Sequence, residues 1–252
     1  MKKIFTFIVI LTVSLNMQAQ EKMYIWQNGV KTSFVVAEVD SVTFGEDATP
    51  PAIGTENGHE WVDLGLSVKW ATCNVGANKP EEYGDYFAWG EVEPKDYYDF
   101  STYKWCKGTY NTQTKYCTDA SYGTVDNKTI LDAADDAATA NWGGAWRIPS
   151  RAEITELREQ CTCVYTTYNG VNGYKVTSNK NGNYIFLPSA GFRYGSSLES
   201  VGDDDYGDVY IWSNSLATDI PFGAYCLRFI WPDMVWYSYN RRYGFSVRPV
   251  YP

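Results

Sequence analysis

One stretch of the chain decides its fold: positions 135–163 carry the sequence DDAATANWGGAWRIPS followed by RAEITELREQCTC. The pattern predicts a helix end, a tight turn, a short strand and a second helix. Ser150 is placed to cap the second helix, because its hydroxyl can accept a hydrogen bond from a first-turn N–H, and Glu153 can reach back to the N–H of the cap. Ile154 and Leu157 then fall on one face, so this helix has a definite start and a buried side.

The segments around this stretch alternate with the period of β-strands. Strands are expected at His59–Leu66, Val68–Val75, Tyr83–Trp89, Val164–Thr167, Gly173–Thr177, Tyr184–Leu187, Val209–Ser215, Ala224–Ile230, Met234–Tyr239 and Gly244–Val250. In the last strand, alternation directs Phe245 and Val247 inward and Arg248 to the opposite face. Helical spacing from Ile130 to Asn141 predicts a first helix of about three turns. Two helices with a run of antiparallel strands predict an α+β fold.

The residues before this domain predict a small β appendage. Met23–Gln27 and Val30–Val36 flank Asn28–Gly29, which is the strongest short hairpin signal. A further extended stretch follows at Val39–Phe44. Residues 20–44 are therefore expected to form a short β-hairpin appendage, which is marginally stable by itself.

The main domain is expected to span residues 58–252. Residues 45–57 are rich in Gly, Pro, Asp, Glu and Thr and predict a linker. The main domain should then fold without the residues that precede it. A long polar passage, Glu91–Asn127, should be functional, braced by a disulfide or ordered by short elements.

The first 19 residues have the pattern of a secretory signal peptide. Two lysines precede an apolar run from Ile4 to Leu15, and a short polar end follows it. The run is shorter than the roughly 20 apolar residues that a membrane helix needs. We therefore expect secretion across the inner membrane to the periplasm, the cell surface or the extracellular space, without membrane insertion. The alternative is an N-terminal membrane anchor that is retained.

The charge of the chain excludes two classes of partner. The formal net charge is −9, and removal of Lys2 and Lys3 with the signal peptide would bring it near −11. No basic stripe or cluster is present in the sequence, which argues against nucleic acid and against an anionic membrane surface. Aromatic residues make up 17% of the chain, which fits a β-rich secreted domain and also a binding face built from amphipathic rings.

Six cysteines are consistent with an oxidising compartment. They stand at positions 73, 106, 117, 161, 163 and 226, and 15 complete pairings are open. Cys106 and Cys117 flank a polar stretch and form the disulfide we expect, which would stabilise the fold by about 3 kcal/mol in the chain-entropy model. Zinc is disfavoured, because no C-x-x-C motif occurs and His59 is the single histidine.

Calcium is the metal for which the sequence offers a candidate site. The run GDDDYGD at Gly202–Asp208 clusters carboxylates on a loop, and hard cations prefer such oxygen ligands. A solvated acidic loop would have the same composition, and the spacing matches no EF-hand.

Several motifs in residues 58–252 resemble one protein family. In chain order they are WVDLGL at 61–66, Val68–Ala77, Tyr83–Glu91, Asp135–Ser150, NGVNGYKVT at 169–177, IFLPSAG at 185–191 and GFSVRPV at 244–250. Together they resemble the Fibrobacter succinogenes major paralogous domain, whose members occur on secreted or surface proteins of Bacteroidetes. That family is similar to the formylglycine-generating enzyme fold, a variant of the C-type lectin fold. The resemblance implies a C-type-lectin-like domain with two main helices and antiparallel strands, and it implies no reaction.

The chemistry of catalysis finds little support in these residues. Oxidation of a cysteine to formylglycine needs two neighbouring thiolates near the C-terminus, because soft sulfur ligands hold Cu(I), whereas Cys226 is alone there. Cys161 and Cys163 supply two thiols at the end of the second helix. A Ser or Cys triad would have to recruit His59, which we expect to be an exposed polar residue. We therefore expect no catalytic residues and no cofactor, with the formylglycine-generating-type oxidase as the least favoured function.

The C-terminal strands carry the side chains that favour a binding function. Tyr, Trp and Arg dominate binding hot spots. The expected ligand-binding face consists of Tyr206, Tyr210, Trp212, Asn214, Arg228, Trp231, Trp236, Tyr237, Tyr239, Asn240 and Arg241. Strand alternation should direct about half of these rings into the core. The sequence thus predicts a secreted or surface-exposed module that binds a glycan or a protein, and the alternative is a structural or adhesive surface component without a small ligand.

Overall fold

The structure is a computed structural model that describes residues 22–27, 30–36, 53–202, 208–230 and 233–252. The chain divides into two compact units, Met1–Asp47 and Ala48–Pro252. Among the described residues, no helix is both long enough and apolar enough to span a bilayer.

The first unit contains the predicted hairpin. Strand β1 (Lys22–Gln27) pairs antiparallel with β2 (Val30–Val35), and Tyr24 lies opposite Ser33. The Nζ of Lys31 lies 3.7 Å from the centre of the Tyr24 ring. The turn residues and the third strand predicted at Val39–Phe44 lie outside the described residues.

The second unit is mainly β, and the predicted α+β fold is wrong. In its described residues twelve strands form four sheets, whereas α1 (Ala137–Trp142) and α2 (Arg151–Gln160) have only six and ten residues. The predicted three-turn first helix does not form as one element, because Asp136 has extended backbone angles where it caps α1. A 3₁₀ turn, Ala133–Asp135, precedes that cap. A C-type-lectin-like domain with two main helices therefore does not describe this chain.

The first sheet joins the two ends of the unit. Its order is β14–β5–β4–β3, and the strands are β3 (Ile53–Glu56), β4 (His59–Val62), β5 (Lys69–Ala71) and β14 (Val250–Tyr251). The predicted linker, residues 45–57, was therefore wrong for residues 53–56, which form β3. A Cβ on Gly54 would overlap the Trp61 ring, and the Trp146 Nε1 donates to the Glu56 carbonyl over 2.9 Å.

The other sheets follow α2 in the chain. The second sheet consists, in sequential order, of β6 (Cys161–Tyr168), β7 (Val171–Ser178) and β8 (Tyr184–Pro188). Strands β9 (Phe192–Tyr194) and β10 (Ser197–Glu199) form a two-stranded ribbon. The third sheet consists of β11 (Tyr210–Leu216), β12 (Gly223–Ile230) and β13 (Asp233–Asn240). The predicted strands at Tyr83–Trp89 and Gly244–Val250 are mostly irregular segments joined by a single bridge between Phe87 and Phe245.

The third sheet lies between two apolar clusters. Trp212 and Cys226 are opposite each other in the ladder and belong to one cluster. Leu227 and Phe229, on the other face of β12, belong to the second cluster together with Leu157 of α2. Both faces of β11 and β12 are therefore buried, so the aromatic side chains on these strands fill the core.

Helix α2 has the predicted capping box. The Ser150 hydroxyl accepts from the Glu153 N–H over 3.2 Å, and the Glu153 carboxylate accepts from the Ser150 N–H over 2.8 Å. Ile154 and Leu157 are fully buried. The tight turn before this helix forms at Gly143, whose φ is 67°, a left-handed value that favours glycine.

The segment after β13 corrects another prediction, since Arg248 is fully buried rather than on an outer face. Its guanidinium donates to the carbonyls of Ala71 over 3.0 Å and Phe186 over 3.0 Å, and its Nε donates to Asn74 over 2.9 Å. Burial in a low-dielectric site lowers the pKa of Arg248 to about 10. The arginine joins the first and second sheets.

The expected disulfide between Cys106 and Cys117 is absent, and all six cysteines are free. The Cys106 thiol donates to the Phe100 carbonyl over 3.0 Å, and the Cys117 thiol donates to the Asp119 carbonyl over 3.1 Å. The long passage is instead ordered by buried polar contacts. Asp126 accepts from the N–H of Cys117 over 2.9 Å.

A shortened chain tests the role of β3. We expect a chain that starts at Ala48 to unfold in urea like the main unit of the full chain. A chain that starts at Gly58 should lose about 2 kcal/mol or more of its free energy of unfolding, because it lacks several backbone hydrogen bonds and the Trp146–Glu56 bond, each worth about 1 kcal/mol. Tryptophan fluorescence reports both transitions, and coinciding midpoints would show that β3 adds nothing.

Two substitutions test α2. Ser150→Ala should reduce the free energy of unfolding by about 1 kcal/mol, the usual cost of losing an N-cap. Leu157→Ala should cost about 2 kcal/mol or more, because it opens a cavity at a fully buried site. Ser197→Ala on the exposed strand β10 is the control. Small and equal losses for the first two variants would mean that this helix does not organise the core.

Candidate functional site

The structure separates the residues that were predicted to form one ligand-binding face. Tyr206 and Trp231 lie outside the described residues. Tyr210, Trp212 and Arg241 are at most 3% exposed. Of the others, Tyr237 is 48% exposed and the remainder are half-buried, namely Asn214, Arg228, Trp236, Tyr239 and Asn240.

Tyr210 and Trp212 belong to the core rather than to a binding face. The Trp212 Nε1 donates to the Phe87 carbonyl over 2.8 Å, and its ring stacks on Phe245 with centroids 4.2 Å apart. The Tyr210 hydroxyl donates to Asp208 over 2.9 Å, and burial raises its pKa. The two side chains lie on the same face of β11, and both belong to the first apolar cluster. The prediction that they contact a ligand was therefore wrong.

Arg241 is a structural cation. It lies just after β13 and donates to the carbonyls of Lys115 and Tyr116 over 3.1 and 3.2 Å, and also to the side-chain oxygen of Gln113. Its guanidinium carbon lies 5.6 Å from the centre of the Trp89 ring. Arg241 therefore holds the loop around residue 115 to the core and cannot reach a ligand.

Arg228 and Asn214 are also engaged within the protein. Arg228 pairs with Asp208 over 3.5 Å and lies over the Tyr210 ring. The main chain of Asn214 bonds Pro149 and Leu131, and its side-chain oxygen accepts from Ser215 over 3.0 Å. The charge of Arg228 is therefore neutralised within the protein, and the amide oxygen of Asn214 is already bonded.

Trp236 and Tyr237 lie on opposite faces of β13. Trp236 packs toward the second cluster, where its ring lies 6.1 Å from Tyr225 and 5.3 Å from the Arg151 guanidinium carbon. Tyr237 shares the face of Cys226, but no described segment pairs with the outer side of β13, and Tyr237 is exposed. The predicted aromatic face is therefore not one surface.

Four tyrosines instead form a continuous surface, which we call the tyrosine stripe: Tyr237, Tyr239, Tyr243 and Tyr194. Successive ring centroids are 4.7, 6.0 and 5.3 Å apart. The two ends are the most open, since Tyr237 is 48% and Tyr194 is 45% exposed. The inner rings rest on Phe245 and the cluster beneath it.

Arg242 lies beside one end of the stripe. Its guanidinium carbon is 4.9 Å from the centre of the Tyr194 ring and 5.2 Å from that of Tyr243. It forms an ion pair with Asp99, whose pKa is lowered first by the N–H of Ser101 and also by Arg242. The cation is thus held in place and neutralised, and it supports the rings.

The sequence interpretation missed Tyr194 and Tyr243. Tyr194 reaches the stripe because the neighbouring Arg193 forms a β-bridge with Gly244. This bridge joins segments that are distant in the chain, so no local sequence pattern predicts it. Tyr243 stands directly before the last predicted strand, between two predicted strands. The available signal was the high density of tyrosine around that strand, not its periodicity.

Three of the cysteines and the histidine lie in surroundings that do not favour catalysis. Burial raises the pKa of Cys161 to about 11 and that of Cys163 to about 12, so both thiols are protonated at neutral pH. Burial also raises the pKa of Cys226. His59 was expected to be an exposed polar residue, but its ring stacks on that of Trp142 with the ring centroids 3.8 Å apart.

Two observations concern metal binding. Among the described residues no group of three or more His, Cys, Asp and Glu side chains could hold a metal ion. Five positions of the acidic run proposed for calcium, 203–207, lie outside those residues, and Asp208 is paired with Arg228. Calcium at this run therefore stays a prediction.

Comparison with known proteins gives no relative: no family model, no curated protein and no solved structure matches this chain.

Arg241→Met tests the structural role of this arginine. The variant should lose about 3 kcal/mol or more of its free energy of unfolding, because two buried acceptors, the Tyr116 carbonyl and the Gln113 amide oxygen, and the part-buried Lys115 carbonyl are left without their donor. Arg158→Met on α2 is the matched control, since no ion pair ties Arg158 to another described residue, and it should change stability by about 0.5 kcal/mol or less. Equal urea midpoints for the two variants would contradict a structural role for Arg241.

Proposed function

We propose that the protein is a binding module that holds an extended ligand, a glycan or a protein segment, along the tyrosine stripe. The carrying observation is the unbroken chain of ring contacts from Tyr237 to Tyr194, with both ends about half exposed. Tyrosine combines a large apolar ring with a hydroxyl and loses little side-chain entropy on binding.

The charges around the stripe support a ligand recognised by rings and hydroxyls. Two cations beside the stripe are neutralised within the protein, Arg242 by Asp99 and Arg228 by Asp208. These two side chains therefore offer no unpaired positive charge to a strongly anionic ligand. A neutral ligand loses no ionic hydration when it settles on such a surface.

The base of the stripe is rigid, which favours binding. Tyr239 and Tyr243 contact Phe245, which is fully buried, and Tyr210 supports Tyr239 edge-on at 5.3 Å. Rings that are already held in place lose less freedom when a ligand binds, so more of the contact energy appears as affinity. The tilted rings offer edges and hydroxyls as well as faces, which suits an irregular ligand surface.

The proposed location follows from the N-terminal pattern. A signal peptide at residues 1–19 would send the protein across the inner membrane, so the ligand would be met in the periplasm, at the cell surface or outside the cell. Membership of the Fibrobacter succinogenes major paralogous domain family stays a prediction from the motifs. The structural or adhesive alternative predicts no small ligand for the stripe.

Alanine variants at the two ends of the stripe test the proposal. Glycan and surface-protein arrays probed with the protein should identify a ligand, and Tyr237→Ala and Tyr194→Ala should each weaken its Kd by about tenfold, the loss of one hot-spot ring. Tyr110→Ala is the control, because Tyr110 is 50% exposed but packs on Phe222 outside the stripe. A ligand whose Kd is the same for all three variants would contradict the proposal, and so would arrays without any ligand.

A further inference from the structure

A cavity lies on the other side of β9 from the exposed end of the tyrosine stripe. Arg193 and Tyr194 are neighbours on β9, so their side chains point to opposite faces of that strand. Arg193 faces a cavity of about 310 Å³, which we call the Arg193 pocket. The side chains that line it and matter here are Asp85, Tyr86, Lys95, Asp96, Tyr98 and Arg193.

Arg193 enters this pocket with its hydrogen-bond donors unused. Its guanidinium carbon lies 5.3 Å from the centre of the Tyr86 ring, and no ion pair or hydrogen bond ties the guanidinium to another described residue. The second cation of the pocket, Lys95, is already occupied. Its Nζ pairs with Glu91 over 2.8 Å and donates to the Thr102 carbonyl over 3.1 Å.

The carboxylates of the pocket are unused as well. Asp85 and Asp96 are exposed, and neither carboxylate accepts a hydrogen bond from a described residue. The pocket therefore presents donors from Arg193 and acceptors from two aspartates, and its lining carries two positive and two negative charges. Because Glu91 already neutralises Lys95, the charges left for a ligand are one guanidinium and two carboxylates, so a ligand has to satisfy both signs of charge.

The walls of the pocket are held rigidly. The Tyr86 hydroxyl donates to the Ala190 carbonyl over 2.6 Å, and the Tyr98 hydroxyl donates to the Tyr86 carbonyl over 2.5 Å. Both rings are at most 6% exposed. Arg193 itself is fixed at the main chain, where its N–H donates to the Gly244 carbonyl over 2.8 Å.

We propose that the Arg193 pocket binds one unit of a neutral saccharide. A guanidinium only donates and a carboxylate only accepts, whereas a sugar hydroxyl does both, so hydroxyls can satisfy Arg193, Asp85 and Asp96 together. The fork of Arg193 suits two oxygens on neighbouring carbons. Ligand pockets usually measure roughly 300 to 1,000 Å³, and a cavity of about 310 Å³ suits a single monosaccharide unit.

Other ligand classes fit the same residues less well. An anion would pair with Arg193 but would be repelled by Asp85 and Asp96. A cation would be attracted by the two carboxylates but repelled by Arg193. A zwitterion such as glycine would have to give up the hydration of two charges at a site whose carboxylates are open to water. The pocket goes beyond the proposed function of the stripe, because it would bind a monosaccharide whether or not the stripe binds a polymer.

Titration of the full chain with single sugars tests the inference. Glucose, galactose, mannose and xylose are added at millimolar concentrations and followed by saturation-transfer NMR, with glucuronate, glucosamine and glycine as charged comparators. At least one neutral sugar should bind with saturation and more tightly than all three comparators. Arg193→Met should weaken that binding by at least about tenfold, because two hydrogen bonds to a charged group are lost.

Matched variants separate this result from misfolding. Arg158→Met and Tyr110→Ala, which lie outside both the pocket and the stripe, should leave monosaccharide binding unchanged. Asp85→Asn changes only an exposed carboxylate, so it should preserve the fold and still weaken binding a few-fold. The inference is overturned if no neutral sugar binds, if a comparator binds more tightly, or if folded Arg193→Met and Asp85→Asn both bind as the unaltered protein does.

Discussion

Two buried guanidinium groups govern how the main unit is put together. A cation removed from water is costly unless its donors find acceptors, and both Arg248 and Arg241 are fully buried. Arg248 donates hydrogen bonds to the carbonyls of Ala71 in β5 and Phe186 in β8. Arg241 donates to carbonyls of the loop around Tyr116. These oxygens converge only when the first sheet, the second sheet and the loop are all in place. The two arginines therefore couple segments that have few strand pairings with one another.

Features built from near neighbours could be predicted from the sequence, and features built from distant ones could not. The Ser150 capping box joins residues three positions apart, and β1 and β2 pair although only two residues separate them in the chain. The prediction of a three-turn first helix was wrong because Asp136 caps α1 with an extended backbone. Its carboxylate also accepts a hydrogen bond from the N–H of Ile148, twelve residues away, which holds Asp136 in that conformation. β3 was missed because its partner β4 and the Trp146 ring hold it in place, rather than its own composition.

The binding surface shows the same division. Alternation indicates that half of the aromatic side chains on a strand are buried, but it does not indicate which half. Tyr210 and Tyr237 lie on the same face of the third sheet, yet Tyr210 is buried and Tyr237 is exposed. Both lie on edge strands, but Ser246 bridges Ile211 on the outer side of β11, whereas no described segment pairs with the outer side of β13. Strand order is a long-range property. Tyr194 joins the stripe by the pairing of Arg193 with Gly244, which is equally remote in sequence.

That pairing also links the stripe to the Arg193 pocket. A Cβ on Gly244 would lie 2.5 Å from the Tyr98 ring, so only glycine lets this ring pack against the chain at that point. Tyr98 forms the floor of the pocket, Tyr243 precedes Gly244 in the stripe, and Arg193 is the bridged partner. One backbone contact thus positions a pocket on one side of β9 and aromatic rings on the other. A polymer that crosses β9 could place one unit in the pocket while its neighbours lie on the rings, and the two weak contacts would then act as one stronger interaction.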